Sequence, residues 1–407
     1  TPSGVMIVPE SQCPPNQVLP DEFCASESCV GDWFHNTEDM EIEKSLVIKI
    51  TDLNQDTLKS DFALSTVLDQ LVNLSGASLP SNGDALFQQM WSTQRERDPL
   101  NDDPQLPFCD DNGSTINGHD IDCPRPEAVL EAHLSDTHEP IALFNRLDLA
   151  PLSGAHCGEY RIVYAKKGAL GSAVTGRNFI ILEAALPNPD PSCGILSCLP
   201  VAEFWASLSD PNLNAQTRAD MLRDFYFVGL PGFEPVVHPV NLGMQDPNDP
   251  TAPTRGQIRT NQFVGFQKWT LREFRLDQVC DNSGVCQVIA RQETVKGNPY
   301  VELFDPAHPN NAAFEADFLA GLASLVPVPD DVNSIGFTIP ASYNAGESVE
   351  DNTNHYASQP FNTLAIDNEI ANLSLPYAIT AQEVVRRANG QSCAGCHQTS
   401  SNDDLGN

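Results

Sequence analysis

Apolar positions along the chain follow two rhythms. Phe62, Leu64, Val67, Leu68, Leu71 and Leu74 recur at helical spacing, and DALFQQMW (84–91) continues with a second amphipathic segment. Strand-like stretches bracket and follow them: SLVIKITDL (45–53), IALFNRLDLA (141–150), EYRIVYA (159–165) and NFIILEAAL (178–186). The middle two alternate in part, whereas FIIL is continuously apolar and predicts burial on both faces. Helices are expected around 200–208 and 215–228. GQIRTNQFVGFQ and a long hairpin, KWTLREFRLDQVC–DNSG–VCQVIARQETV, come next. Within that hairpin the apolar phase slips between Leu271 and Phe274, which predicts a bulge. Phe314, Phe318, Leu322 and Leu325 mark a helix over 311–325, and another is expected over 361–373.

The last element has the clearest boundaries. Thr380 and Glu383 form a T-x-x-E capping box, and AQEVVRRANG then runs helically to Gly390. Strands and helices fall in separate blocks rather than strict alternation, so the expected class is α+β: loop-rich, disulfide-stapled, with a mainly antiparallel sheet and packed helices. Three regions follow from the pattern. Residues 1–44, rich in Pro, Glu and Cys, read as a disulfide-tied arm. Residues 45–375 read as a large α+β body, with a further division placed near 135. Residues 376–407 form a C-terminal segment.

Composition narrows the function. The 407 residues carry 22 Lys+Arg against 55 Asp+Glu, a net charge of −33. Such a surface repels phosphate backbones and anionic membranes, which argues against nucleic-acid binding. A basic protein partner, divalent cations or plain solubility suit it better. No apolar run approaches the ~18–20 residues that span a bilayer. The chain opens on Thr1, and the expectation is a mature exported protein whose signal peptide has been removed, periplasmic or extracellular.

Twelve cysteines agree with an oxidising compartment. Cys280 and Cys286 flank a hairpin tip, Cys193 and Cys198 flank GILS, and Cys109 and Cys123 would close a polar loop. Cys13, Cys24, Cys29 and Cys157 would tie the N-terminal segment to the body in an order the sequence does not give. Zinc is a weaker explanation, because the only C-x-x-C pair lies at the C-terminus.

That pair is Cys393 and Cys396, and with His397 it spells C-x-x-C-H within QSCAGCHQTSSNDDLGN. The spacing lets each thiol add to one porphyrin vinyl group and sets the adjacent imidazole beneath the ring. A redox C-x-x-C and a structural disulfide are the competing readings. A capped helix running directly into CAGCH resembles the first helix of c-type cytochromes, over about residues 376–397. The resemblance implies one covalent haem c, thioether-linked to Cys393 and Cys396, with His397 as proximal iron ligand. FNRLDLAPLSGAHCGEYRIVYA and LPGFEPVVHP also resemble uncharacterised secreted bacterial proteins with a late C-x-x-C-H, which supplies no activity.

The departure from the family pattern lies after the motif, where QTSSNDDLGN offers neither Met nor His as a distal ligand. Either the rest of a cytochrome domain is missing, or an upstream side chain ligates, or the sixth position is open or filled by another subunit. The upstream candidates are His355 in DNTNHYASQP, His156 in LSGAHCGEY and Met244 in NLGMQDP. Arg386 and Arg387, one turn before the motif, are candidates for pairing with haem propionates. Separately, Asp110, Asp111, Asn112, Asp120 and Asp122 cluster in CDDNGSTINGHDIDC, an oxygen-rich loop suited to calcium although it fails the EF-hand template; MQDPNDPTAPT (244–254) is a second, weaker loop.

Three functions follow as expectations. The first is an exported haem protein that passes electrons to a redox partner. The second is a haem peroxidase or oxygenase with an open distal site, in which Glu159 and Arg146 assist. The third is an extracellular structural or filament-forming protein that self-assembles.

Overall fold

Alternation along neighbouring strands gives the protein a sheet with one apolar face and one charged face. A computed structural model describes residues 6–9, 22–25, 47–49, 55–80, 82–91, 115–117, 119–120, 137–151, 153–167, 178–264, 268–327, 335–350 and 355–400. Two short strands, β1 (Met6–Pro9) and β2 (Glu22–Ala25), pair in parallel. Next in the chain are β3 (Val47–Lys49), the helices α1 (Gln55–Asp61), α2 (Leu64–Leu74) and α3 (Gly83–Trp91), and a small hairpin of β4 (Thr115–Ile116) and β5 (His119–Asp120). The main strands are β6 (His138–Arg146), β7 (His156–Lys166), β8 (Asn178–Pro187), β9 (Gln257–Val264), β10 (Lys268–Cys280) and β11 (Cys286–Glu293), with α4 (Leu199–Ser207) and α5 (Ala215–Phe227) between β8 and β9. The sheet runs β11-β10-β9-β8-β7-β6-β3, antiparallel throughout, and β12 (Ser348–Val349) adds to β10 beside β11. The α+β class is as expected.

The register separates the two faces. Ile162, Leu182, Ile258 and Phe274 stand side by side across four strands and are buried. They belong to the main core, which α1 to α5 close through Leu58, Phe62, Leu68, Trp205, Leu222 and Phe225. On the opposite face Arg161 stands across from Glu183, Glu183 from Gln257, and Arg259 from Glu273. A second core gathers Val301, Phe304, Phe314, Phe318 and Leu322 with Val384, Val385 and Ala388. It is built on α6 (Asn311–Ala320), α7 (Thr363–Leu373) and α8 (Ala381–Gln391). α8 packs with residues 301–366. A third, small cluster joins Trp269 and Leu271 of β10 to Val295 and Ala394.

Several expectations are corrected. The bulge between Leu271 and Phe274 does not form: β10 keeps an unbroken register against β9 from Lys268 to Phe274. The apolar phase slips because β10 is covered on both sides here, and Thr270, Arg272 and Glu273 are buried polar residues. The helix expected through Phe62 divides at Ala63, whose ψ of 139° is extended. The one expected over 311–325 ends at Ala320 and continues as a 3₁₀ turn over Leu322–Leu325. In FIIL, Ile181 is only half-buried, and the fully buried run of β8 is Leu182–Leu186.

The disulfides also rearrange. Cys280 and Cys286 are bonded across the hairpin tip as expected, but Cys198 bonds Cys157, not Cys193, with a Cα–Cα distance of 5.2 Å. Cys193 is also disulfide-bonded, to a partner outside the described residues. Residues five apart on a tight coil point in different directions, and Gly194, at φ 56°, kinks this one. Cys157 and Cys198 lie in the main core. The side chains of Cys13, Cys24, Cys29, Cys109 and Cys123 lie outside the described residues, as do Asp110, Asp111, Asn112 and Asp122. Of the acidic loop, Asp120 is described as a backbone position in β5.

Candidate functional site

The site is built where β10, β12 and the end of α8 converge. β12 pairs with Thr270 and Leu271, and the next residue extends the ladder when Glu350 N–H donates to the Trp269 carbonyl at 2.8 Å. Trp269 and Glu350 thus become cross-strand neighbours on one face. α8 arrives with its N-terminus capped reciprocally. Thr380 N–H donates to Glu383 Oε2 at 2.8 Å, and Glu383 N–H donates to Thr380 Oγ1 at 3.3 Å. Its apolar stripe, Val384, Val385 and Ala388, fixes its roll against the second core.

A new helix, α9 (Cys393–Ser400), starts two residues after α8 ends. Ser392 forms the corner: its Oγ donates to the Asn389 carbonyl at 2.7 Å and accepts from Gly395 N–H at 3.0 Å. Asn389 Oδ1 in turn accepts from Tyr356 N–H at 3.1 Å. From the sheet side, Ser348 Oγ accepts from Ala394 N–H at 2.9 Å and donates to Asn298 Oδ1 at 2.7 Å. The C-x-x-C-H segment is therefore docked by its own backbone, through buried partners, onto β12.

Cys393, Cys396 and His397 share this helix. Cys393 faces the sheet and is partly buried, while Cys396 is exposed; neither is in a disulfide. The imidazole of His397 stacks on the Trp269 indole, with centroids 4.4 Å apart and planes 12° from parallel. Its Nδ1 is hydrogen-bonded to Glu350 Oε2. An ionised carboxylate only accepts, so Nδ1 carries the proton and Nε2 is the nitrogen suited to a metal.

Beneath Cys393 the charged face of the sheet is buried. Glu183 and Glu273 are 0% and 2% exposed. Arg259 donates to Glu273 Oε1 from Nε at 2.9 Å and from Nη2 at 2.8 Å, and to Glu183 Oε1 from Nη1 at 3.3 Å. Gln257 Nε2 donates to Glu183 Oε2 at 2.6 Å, and Arg161 pairs with Glu183 and Glu159. Burial opposes the charge on Arg259, but Glu183 and Glu273 together raise its pKa and hold it protonated. Burial pushes the Cys393 thiol up, and the Arg259 charge opposes that rise.

These residues fit covalent haem on the attachment side. Two thiols one helical turn apart precede an imidazole whose Nδ1 proton is held by a carboxylate, the usual support of a ligating histidine. The cleft behind the segment, lined by Asn298, Glu347, Tyr356, Ser392 and Ala394, measures only ≈ 170 Å³, so it is no pocket for a porphyrin.

The other candidates have environments of their own. Met244 packs in the main core at 4% exposure. His156 opens β7, where its Nδ1 accepts from Gly158 N–H at 3.2 Å. His355 caps the turn Tyr356–Ser358, its Nδ1 accepting from Ala357 N–H at 3.1 Å. Burial lowers the pKa of both imidazoles, aided by Arg255 at His156 and by Arg386 at His355. Arg386 is exposed, and Arg387 turns to the second core, donating to the Leu325 carbonyl at 3.0 Å. Arg146 bonds Asp148, and Glu159 bonds Arg161. In the loop 244–254, Asp246 and Asp249 accept from Asn248 and Thr251 in local turns, and no group of three or more metal-ligating side chains occurs among the described residues. Likewise, no helix among the described residues is long and apolar enough to cross a membrane.

Reading the sequence did not find Trp269, Glu350, Ser348, Asn389 or Arg259. Each acts at a distance of 6 to 134 positions from its partner in the motif, and no local signal marks such pairs. Comparison with known proteins found no matching family model, no similar curated protein and no similar solved structure.

Proposed function

We propose that the protein is an exported c-type haem protein that transfers electrons, with haem thioether-linked to Cys393 and Cys396 and His397 as its proximal ligand. The observation that carries the reading is His397 itself. It follows the two cysteines on one short helix, its ring is clamped on Trp269, and its Nδ1 is committed to Glu350. Bound there, haem would supply a one-electron couple tuned by the axial ligand and by burial. The protein's own residues do the rest: the thiols anchor, Glu350 holds the Nδ1 proton, and Ser348 and Ser392 hold the segment to the sheet. The disulfides support an oxidising compartment, and the acidic surface suits a basic redox partner.

Haem staining of a denaturing gel tests the attachment. The wild-type chain should keep its haem through acid–acetone extraction, and the Cys393→Ala, Cys396→Ala double variant should carry none. A haem lost from the wild type on extraction overturns the reading.

A haem peroxidase or oxygenase is the second reading, favoured by one observation. Met244 is a core residue, and His156 and His355 each bind backbone in turns of their own, so these three side chains are already engaged. Carbon monoxide binding to the reduced protein would favour it. A six-coordinate site that excludes the gas would remove it.

A further inference from the structure

Glu350 and Trp269 lie outside the C-x-x-C-H motif, yet both touch its histidine. Their positions are not independent. Glu350 N–H to the Trp269 carbonyl, at 2.8 Å, continues the β10–β12 ladder, so one backbone bond sets the spacing of carboxylate and indole. Glu350 then hydrogen-bonds Nδ1, while Trp269 stacks on the ring face with centroids 4.4 Å apart. Trp269 is 6% exposed and packed against Leu271, Val295 and Ala394, so the indole is itself immobile. An imidazole with one edge and one face fixed cannot rotate about its Cβ–Cγ bond.

From this geometry we propose that Glu350 and Trp269 are paired positioning residues for His397, the carboxylate setting the ligand's electron donation and the indole its ring plane. The proposal deepens the haem reading above and rests on it. A carboxylate on Nδ1 gives the imidazole anionic character, makes Nε2 a stronger donor and so favours the oxidised iron. A neutral acceptor in the same place would keep the ring oriented and lose that effect. The stacked indole contributes no charge, so its effect falls on orientation. The two roles are therefore separable by experiment.

The test uses the full-length haem-loaded protein, with covalent haem verified first by staining. Midpoint potentials are measured by spectroelectrochemical titration for wild type and Glu350→Gln. Replacing Glu350 should shift the one-electron equilibrium toward the reduced form about tenfold, about 59 mV upward. Trp269→Phe and Trp269→Ala are compared by the hyperfine-shifted proton resonances of the haem methyl groups, which report the plane of the axial imidazole. Phe, which restores a stacked ring, should keep the wild-type pattern, and Ala should collapse or rearrange it. Covalent haem with an unchanged potential in Glu350→Gln overturns the carboxylate's role. Identical resonances in Trp269→Ala overturn that of the indole, even if the Glu350 variant fails to fold. A wild-type chain without covalent haem overturns the proposed function, and this pairing with it.

Discussion

Gly395 packs so tightly against Asn389 that a Cβ at position 395 would lie 1.9 Å from the Asn389 carbonyl oxygen. The third residue of C-A-G-C-H is therefore a glycine for steric reasons. Asn389 cannot retreat, because it is 2% exposed and its carbonyl and side chain hold Ser392 and Tyr356.

Gly395→Ala should therefore undock the segment, although alanine is the better helix former. The cost is expected at about 1–3 kcal/mol, since off-geometry contacts of this kind force backbone shifts. Hydrogen exchange at residues 392–397 should rise while that of the main core stays unchanged. Unaltered protection across the segment would show that the close contact is easily relieved.

Arg259 is the counter-charge for two buried carboxylates. Arg259→Met removes it, leaving Glu273 without its ion-pair partner and Glu183 with Arg161 alone, which should destabilise the fold by about 3–5 kcal/mol in urea unfolding. Adding Glu183→Gln and Glu273→Gln to that variant should recover most of the loss. If the triple variant is no more stable than the single one, charge burial is not the cause.

The Cys157–Cys198 disulfide closes a separation of 41 residues, and Cys280–Cys286 one of 6. Chain-entropy arguments put these at about 4 and about 2 kcal/mol. Cys157→Ala with Cys198→Ala should thus lower the thermal midpoint more than the equivalent change at Cys280 and Cys286. The reverse order, read by calorimetry, would contradict the pairing in the core as the stronger staple.

Thr380 and Glu383 cap α8, and Thr380→Ala should cost about 1 kcal/mol. The hydrogen bonds from Thr380, first its hydroxyl and then its N–H, hold the Glu383 pKa below the usual carboxylate value. A depressed folded-state pKa means that this stability is complete above the unfolded-state value, about 4.3, and fades as pH falls through the folded one. The gap between wild type and Thr380→Ala should therefore narrow in acid. A gap independent of pH down to 3 would exclude the carboxylate's share.

Much of the fold is legible in the chain because its causes are local. Alternation in EYRIVYA and the turn chemistry of DNSG specify β7 and the β10–β11 hairpin, and the capping box specifies where α8 starts. The closeness of Cys393, Cys396 and His397 is legible too, since their spacing sets them along one short helix. What surrounds them depended on tertiary packing. Only pairing between β10 and β12 places Glu350 beside Trp269, and only burial of the charged sheet face sets Arg259 under Cys393. The disulfide of Cys157 to Cys198 was likewise decided by which strand end meets which helix start, 41 residues apart. Residue type and spacing report contacts within a turn or a strand. A hydrogen bond between residues 47 positions apart, such as Glu350 to His397, exists only because the sheet and the two cores bring its ends together.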